Sequence, residues 1–94
     1  MRAKDEKTPG VYGAYAFSHC SGLTSVAIPD GVTSIGNCTF YECTRLTGAY
    51  FKGNAPSIGA AVFDGDNNAT VYHLPGTTGW SPTFGGRPTA RWKP

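Results

Sequence analysis

The sequence repeats itself with a fixed period of twenty-three, and this period constrains the fold more than any other feature. A phenylalanine, a glycine and a bulky apolar residue each return at that spacing. The three sets are Phe17, Phe40 and Phe63; Gly13, Gly36 and Gly59; and Tyr12, Ile35 and Ile58. Apolar residues held at so short a period predict a solenoid, in which each turn of the chain covers the apolar face of its neighbour.

Within one repeat, the stretch from residue 23 to residue 28 alternates as a short β-strand does. Val26 and Ile28 are expected on one face of the strand, and Ser25 and Ala27 on the other. Residues 32–35 predict a second short strand. A helical or 3₁₀ turn is expected over residues 39–43, burying Phe40.

The same period carries the strand pattern into the next two repeats. It predicts two inward-facing columns and one outward-facing column. These are Val26, Ala49 and Tyr72; Ile28, Phe51 and Leu74; and, facing outward, Ala27, Tyr50 and His73. The predicted fold class is therefore mainly β, with short 3₁₀ or helical turns, in a solenoid of about three repeats of this period.

Composition agrees with a turn-rich fold and excludes several functional classes. Glycine and proline together make 20 of the 94 residues, which argues against a helical bundle. A chain of 94 residues has room for one domain, so a two-domain enzyme is ruled out. The net charge of +2 gives no overall nucleic-acid signature. The sequence shows neither a membrane-spanning apolar run nor the apolar stretch of a signal peptide.

One repeat carries a recognisable pattern. It is Ala16-Phe17-x-x-Cys20-x-x-Leu23-x-x-Val26-x-Ile28-Pro29-x-x-Val32-x-x-Ile35-Gly36. This pattern resembles the BspA-type leucine-rich repeat over about residues 12–80, in one good copy and two degraded ones. The third copy departs furthest, with Asp66 at the cysteine position and Ala69 at the leucine position. The resemblance implies a bacterial or protist surface-protein module used for adhesion and protein binding. It implies a cell-surface or secreted location, no catalytic residue and no cofactor.

Three parts of the chain are expected: an N-terminal extension (1–11), the repeats (12–80) and a C-terminal cap (81–94). Aromatic residues dominate the end of the chain, at Trp80, Phe84 and Trp92. Terminal repeats need such a cap for solubility. The start of the chain is too short and too charged to cover Tyr12, Phe17 and Leu23, so the first repeat is predicted to meet upstream repeats or another chain. Self-association through this open end is the simplest form of that contact.

Cys20 and Cys43 lie one period apart, in stacked positions. Neighbouring strands are separated by a distance that a disulfide can bridge, so a disulfide and a column of buried thiols are both open interpretations. Cys38 lies outside this column and is expected to be an exposed thiol.

The stretch Asp64-Gly65-Asp66-Asn67-Asn68 offers oxygen ligands at alternate positions, as a calcium loop does. An EF-hand is excluded, because Pro75 stands where the closing glutamate belongs. Asp64, Asp66 and Asn68 are thus weak metal candidates beside the interpretation as a plain turn.

The outer strand face is the candidate contact surface. It comprises Ser25, Ala27, Thr47, Tyr50 and His73. The function this favours is non-catalytic protein binding or adhesion, with a protein partner or a second copy of the chain.

Two alternatives remain: a minimal enzyme, and a metal-binding protein. The enzyme would be hydrolase-like, with His73 or His19 beside a carboxylate such as Asp64 and a site completed by oligomerisation. The metal-binding protein would use His73, Cys38 or the Asp64 and Asp66 loop. The basic tail at Arg87, Arg91 and Lys93 carries too few cations to favour nucleic acid.

Overall fold

Residues 10–92 form a mainly β structure in the computed structural model, which describes this part of the chain. The strands are β1 (Val11–Tyr12), β2 (Ser25–Ile28), β3 (Ser34–Ile35), β4 (Gly48–Phe51), β5 (Ser57–Ile58), β6 (Thr70–His73), β7 (Thr83–Phe84) and β8 (Arg87–Arg91). They form a small sheet in the order β1-β3-β5 and a larger one in the order β2-β4-β6-β8-β7. All neighbouring strands are parallel except β7 and β8, which are antiparallel.

Successive segments of the chain pair with one another in both sheets, and each contributes one strand to each sheet. The segments are named segment 1 (residues 11–33), segment 2 (34–56) and segment 3 (57–79). Val11 pairs with Ser34, and Ser34 with Ser57, in the small sheet; Ser25 pairs with Gly48 in the larger one. Each of these offsets equals the period of the sequence, so that period is the distance along the chain between paired strands.

The turns between the sheets also join the segments through hydrogen bonds. The amide N–H groups of Phe17 and Phe40 donate to the carbonyls of Thr39 and Val62, at N···O distances of 2.8 and 3.0 Å. The backbone takes left-handed geometry at the same two places in each segment. These residues are Tyr15, Cys38 and Ala61, and then His19, Glu42 and Gly65.

The predicted helical or 3₁₀ turn over residues 39–43 is a single hydrogen-bonded turn, closed from the Cys43 N–H to the Phe40 carbonyl at 3.3 Å, and residues 10–92 contain no helix. Left-handed backbone at Cys38 and Glu42 interrupts any helical run there. The N–H groups of Phe40 and Glu42 bond to the next segment instead of closing a helical turn.

The three phenylalanines form the contiguous buried row that their spacing predicts. The rings of Phe17 and Phe40 are stacked with centroids 5.4 Å apart, and those of Phe40 and Phe63 are 5.5 Å apart. Phe40, in the middle, is 0% exposed. Like side chains from successive segments therefore lie over one another, and this prediction is confirmed.

The larger sheet changes register between the second and third segments. Tyr50 pairs with Tyr72, and Phe51 with His73, so the offset is one position shorter than the period. The buried strand position Ala49 comes three places after the buried Leu46, whereas in segment 3 Val71 comes only two places after Ala69. Three predicted alignments are therefore wrong at their third member: Val71 aligns with Val26 and Ala49, His73 with Ile28 and Phe51, and Tyr72 with Ala27 and Tyr50.

The first segment is better covered than its sequence predicts. Tyr12 and Phe17 are only 2% and 8% exposed, because both pack against Phe40 and against each other. Leu23 is half-buried, whereas its counterpart Leu46 is fully buried. Of the three apolar side chains predicted to be uncovered in the first segment, only Leu23 is partly exposed.

The C-terminal hairpin, defined as residues 81–92, packs on the repeats through aromatic side chains. The ring centroids of Phe84 and of Trp80, which directly precedes the hairpin, lie 5.5 and 5.1 Å from that of Phe51. Gly85, in left-handed geometry, approaches the ring of Phe63 so closely that a Cβ there would be 2.8 Å from Cδ2. Among residues 10–92, no helix is long and apolar enough to cross a membrane.

Candidate contact surface of the larger sheet

The outer face of the larger sheet is formed by alternate residues of its strands. In β2, Ser25 and Ala27 are exposed, whereas Ile28 is buried. In β4, Tyr50 is half-buried between the buried Ala49 and Phe51. The period of two residues in a strand therefore divides each strand into a core side and an outer side, as the sequence predicts.

Three aromatic side chains converge on this outer face, and we call them the aromatic ladder: Tyr50, Tyr72 and Trp92. The rings of Tyr50 and Tyr72 are stacked, with centroids 4.8 Å apart and planes at 7°. The Trp92 ring meets that of Tyr50 edge-on at 5.0 Å. All three side chains are half-buried and each ring contacts another, so the ladder is a partly exposed aromatic surface whose rings are held in place.

Glycine at position 48 makes this arrangement possible. The Tyr50 ring lies back along its own strand, over Gly48, which is buried beneath it. A Cβ at position 48 would be 2.7 Å from Cε2 and 2.8 Å from the hydroxyl oxygen of Tyr50. The ladder therefore depends on the missing side chain at position 48 as well as on the rings themselves.

The other residues predicted for the contact surface lie partly on this face. Ser25 and Ala27 lie beside the ladder on β2 and are exposed. Thr47 precedes β4 and is exposed, and its hydroxyl donates to the carbonyl of Thr24 at 3.1 Å. This hydrogen bond joins segment 2 to segment 1, so the Thr47 hydroxyl is already engaged within the protein.

His73 is not on the outer face, and the predicted neighbour relation between Tyr50 and His73 is wrong. The shortened register places His73 beside Phe51, on the core side of β6. Its ring is stacked on Trp80, with centroids 5.0 Å apart and planes at 6°. The buried Nδ1 atom has no hydrogen-bond partner in the described structure. Tyr72 takes the outer position that the fixed period had given to His73.

The described residues do not bring a histidine and a carboxylate together. His19 is exposed in a turn of segment 1 and meets the ring of Tyr41 edge-on at 5.4 Å. Within residues 10–92, the ring contacts of the two histidines are with aromatic side chains, Tyr41 for His19 and Trp80 for His73. The pairing with Asp64 that a hydrolase-like site requires is therefore not formed in the described part of the chain.

The cysteines occupy two environments. Cys43 is buried, and its thiol donates to the carbonyl of Phe17 at 3.0 Å. Burial raises the pKa of this thiol to about 11, and Cys20, in the adjacent segment, interacts with it. Cys38 is half-buried rather than exposed, and its hydrogen bond with Tyr15 raises the pKa of that phenol. A disulfide between Cys20 and Cys43 stays a prediction.

The acidic turn of segment 3 does not gather its oxygens around one point. Asp64 and Asn68 are exposed, whereas Asp66 is fully buried. Within residues 10–92, no group of three or more His, Cys, Asp or Glu side chains is placed to hold a metal ion. The turn instead directs one carboxyl group into the core.

Comparison with known protein families identifies the repeats. A family model described as "BspA type Leucine rich repeat region (6 copies)" matches residues 10–79. No curated protein and no solved structure matches the chain. The matched region covers most of the chain and all three paired segments. The chain therefore belongs to the BspA-type leucine-rich-repeat family.

Proposed function

We propose that this protein is a non-catalytic protein-binding module, with its contact surface on the outer face of the larger sheet. The aromatic ladder is the observation that carries the proposal. Tyr50, Tyr72 and Trp92 hold one another through ring contacts at 4.8 and 5.0 Å. Rigid aromatic side chains dominate the energetics of many protein interfaces. Membership of the leucine-rich-repeat family suggests an interaction or surface module of this kind.

In this proposal the three segments are the turns of a solenoid and the C-terminal hairpin is its cap. Two observations support it: partners along the small sheet are separated by the full period of the sequence, and Trp80 and Phe84 cover Phe51 of segment 2. Adhesion at a cell surface is the biological role that this architecture serves best. The adhesion role rests on the family resemblance.

Self-association through the first segment is the second part of the proposal. Strand β2 has no neighbour on its outer edge among the described strands. Leu23 and Val26 are half-buried, whereas the corresponding Leu46 and Ala49 are 0% exposed. At the opposite end the edge strand is β7, which is only two residues long and antiparallel to β8, and short edge strands are poor templates for pairing. One longer edge at β2 and one short edge at β7 favour a closed two-fold dimer over a filament.

The binding test uses the purified chain immobilised on a biosensor and a panel of purified surface and extracellular-matrix proteins. Tyr72→Ala removes one rung of the ladder and is expected to weaken binding by about tenfold or more. Tyr15→Ala is the matched control, because Tyr15 is an exposed aromatic residue in a turn. Loss of binding in the control with none in Tyr72→Ala would place the contact on the turn side and contradict the proposal.

The self-association test is molecular mass by light scattering over a range of protein concentrations. A mass that rises towards that of a dimer supports the contact at the first segment. A monomer at every concentration contradicts this part of the proposal and leaves the contact surface unaffected.

A further inference from the structure

Asp66 occupies a place in the core that cysteine holds in the preceding segments, at Cys20 and Cys43. The residue is 0% exposed, and neither carboxyl oxygen has a hydrogen-bond partner in the described structure. An ionised carboxylate buried without a partner is strongly disfavoured. The position therefore selects the neutral, protonated acid.

Cys43 shows what this place in the core requires of a side chain. Its thiol donates to the carbonyl of Phe17, which lies 26 residues earlier. The same step back from Asp66 leads to Phe40. A protonated carboxyl group has an O–H to donate to such a carbonyl, whereas a carboxylate can only accept. The acid form of Asp66 can thus replace the thiol of the equivalent position, and the carboxylate cannot.

The charged groups around Asp66 come from three parts of the fold. Burial is the main cause that raises its pKa, to about 7. The Cys43 backbone amide lowers the pKa, although it is too poorly placed for a hydrogen bond and donates to Phe40 instead. Glu42 and Asp64 raise the pKa further, and the Arg87 guanidinium lowers it. The buried thiol of Cys43 adds a repulsion only if it ionises.

Arg87 links the acidic turn of segment 3 to the C-terminal hairpin. Its Nε atom donates to the carbonyl of Ala69 at 2.9 Å, and its Nη2 atom donates to that of Asn67 at 3.0 Å. Arg87 is the first residue of β8, which pairs with β6. The turn that follows Asp66 is therefore fastened to the hairpin by a cation that also acts on the Asp66 carboxyl group.

We propose that Asp66 is a proton-controlled latch: its protonation closes the C-terminal hairpin on segment 3, and its ionisation loosens that contact. An ionised Asp66 gains a partner if the turn over residues 66–69 opens to water, or if Arg87 moves to the carboxylate. Either movement breaks the bonds from Arg87 to the Asn67 and Ala69 carbonyls. The proposal rests on the packing of the core and is independent of the proposed binding function.

The sign of the pH effect follows from linkage. The pKa of Asp66 is raised in the folded protein from an ordinary value of 3.8 to about 7. The stabilisation that protonated Asp66 gives the folded protein is complete below the pKa that Asp66 has in the unfolded chain. It is lost as the pH rises through the pKa that Asp66 has in the folded protein. Between the two values the folding equilibrium constant falls by about tenfold per pH unit, which is roughly a hundredfold from pH 5 to pH 8.

The test follows the carboxyl ¹³C resonance of Asp66 and hydrogen-exchange protection in β6 and β8 between pH 3 and pH 8.5. In the wild-type chain the resonance is expected to titrate near pH 7. Protection, corrected for the intrinsic exchange rate, is expected to fall by about a hundredfold from pH 5 to pH 8. Asp66→Asn and Asp66→Cys are each expected to abolish that fall.

Two results would overturn the latch. One is an Asp66 carboxyl resonance that titrates near pH 4. The other is an unchanged pH dependence of protection in both variants. The Asp66→Cys variant restores the residue type of the two preceding segments, so it serves if Asp66→Asn fails to fold. The wild-type titration decides the question even without either variant.

Discussion

Replacing Phe40 by alanine is the sharpest perturbation of the buried phenylalanine row. Phe40 is 0% exposed and lies between Phe17 and Phe63, with ring centroids 5.4 and 5.5 Å away. The segments on both sides are held at a fixed separation by backbone hydrogen bonds, including Phe17 to Thr39 and Phe40 to Val62. The space left by the ring therefore has little freedom to collapse.

The expected loss is about 4–5 kcal/mol of unfolding free energy. Phe→Ala substitutions in protein cores cost about 3–5 kcal/mol, with the largest values where the cavity persists. Phe40 also loses two stacked ring contacts, which contribute about 0.5–1.5 kcal/mol each beyond burial. A domain of this size has a total stability of roughly 5–15 kcal/mol, so the variant is expected to lose between about a third and all of it.

Urea unfolding followed by far-ultraviolet circular dichroism measures this loss. Tyr15→Ala is the control, because its side chain is 61% exposed and its removal is expected to change stability by no more than about 0.5 kcal/mol. A Phe40→Ala variant within about 1 kcal/mol of the wild type would refute the buried row.

Three smaller perturbations test other parts of the structure. Ala61→Gly is expected to stabilise the protein by up to about 1 kcal/mol in urea unfolding, because Ala61 has a φ of 57° that glycine adopts without strain; a loss of stability would contradict that backbone geometry. Gly48→Ala places a Cβ against the Tyr50 ring, so the tyrosine near-ultraviolet circular dichroism should change, with a loss of about 1–3 kcal/mol; an unchanged spectrum would be incompatible with the ring's position over Gly48. Iodoacetamide at pH 8 should modify Cys38 well before Cys43, whose buried thiol has a pKa of about 11; equal rates by mass spectrometry would show that Cys43 is accessible.

The sequence period predicts the stacking of the core correctly where every segment has the same length. Phe17, Phe40 and Phe63 align because no residue is inserted or lost between them. The alignment fails after Ala69, where one residue fewer leads to the strand. A fixed period cannot detect the loss of one residue. The β-branched Val71, which is of the same residue type as Val26, is a signal in the sequence for it. Its consequence is that Tyr72 rather than His73 faces outward.

Two other features lie beyond what residue types reveal. Tyr15, Cys38 and Ala61 share left-handed geometry, yet none is a glycine or an asparagine, so local sequence gives no signal. The period does place Asp66 at the cysteine position, but an aspartate among glycine and asparagine residues is typical of an exposed turn. Only the packing around it shows that the carboxyl group points inward.

The central claim is that equivalent side chains of successive segments lie directly over one another. Nuclear Overhauser effects between assigned aromatic protons measure this most directly. The structure predicts contacts from Phe40 to both Phe17 and Phe63, and from Tyr50 to Tyr72. Absence of the phenylalanine contacts, or contacts from Tyr50 to His73 in place of Tyr72, would contradict it.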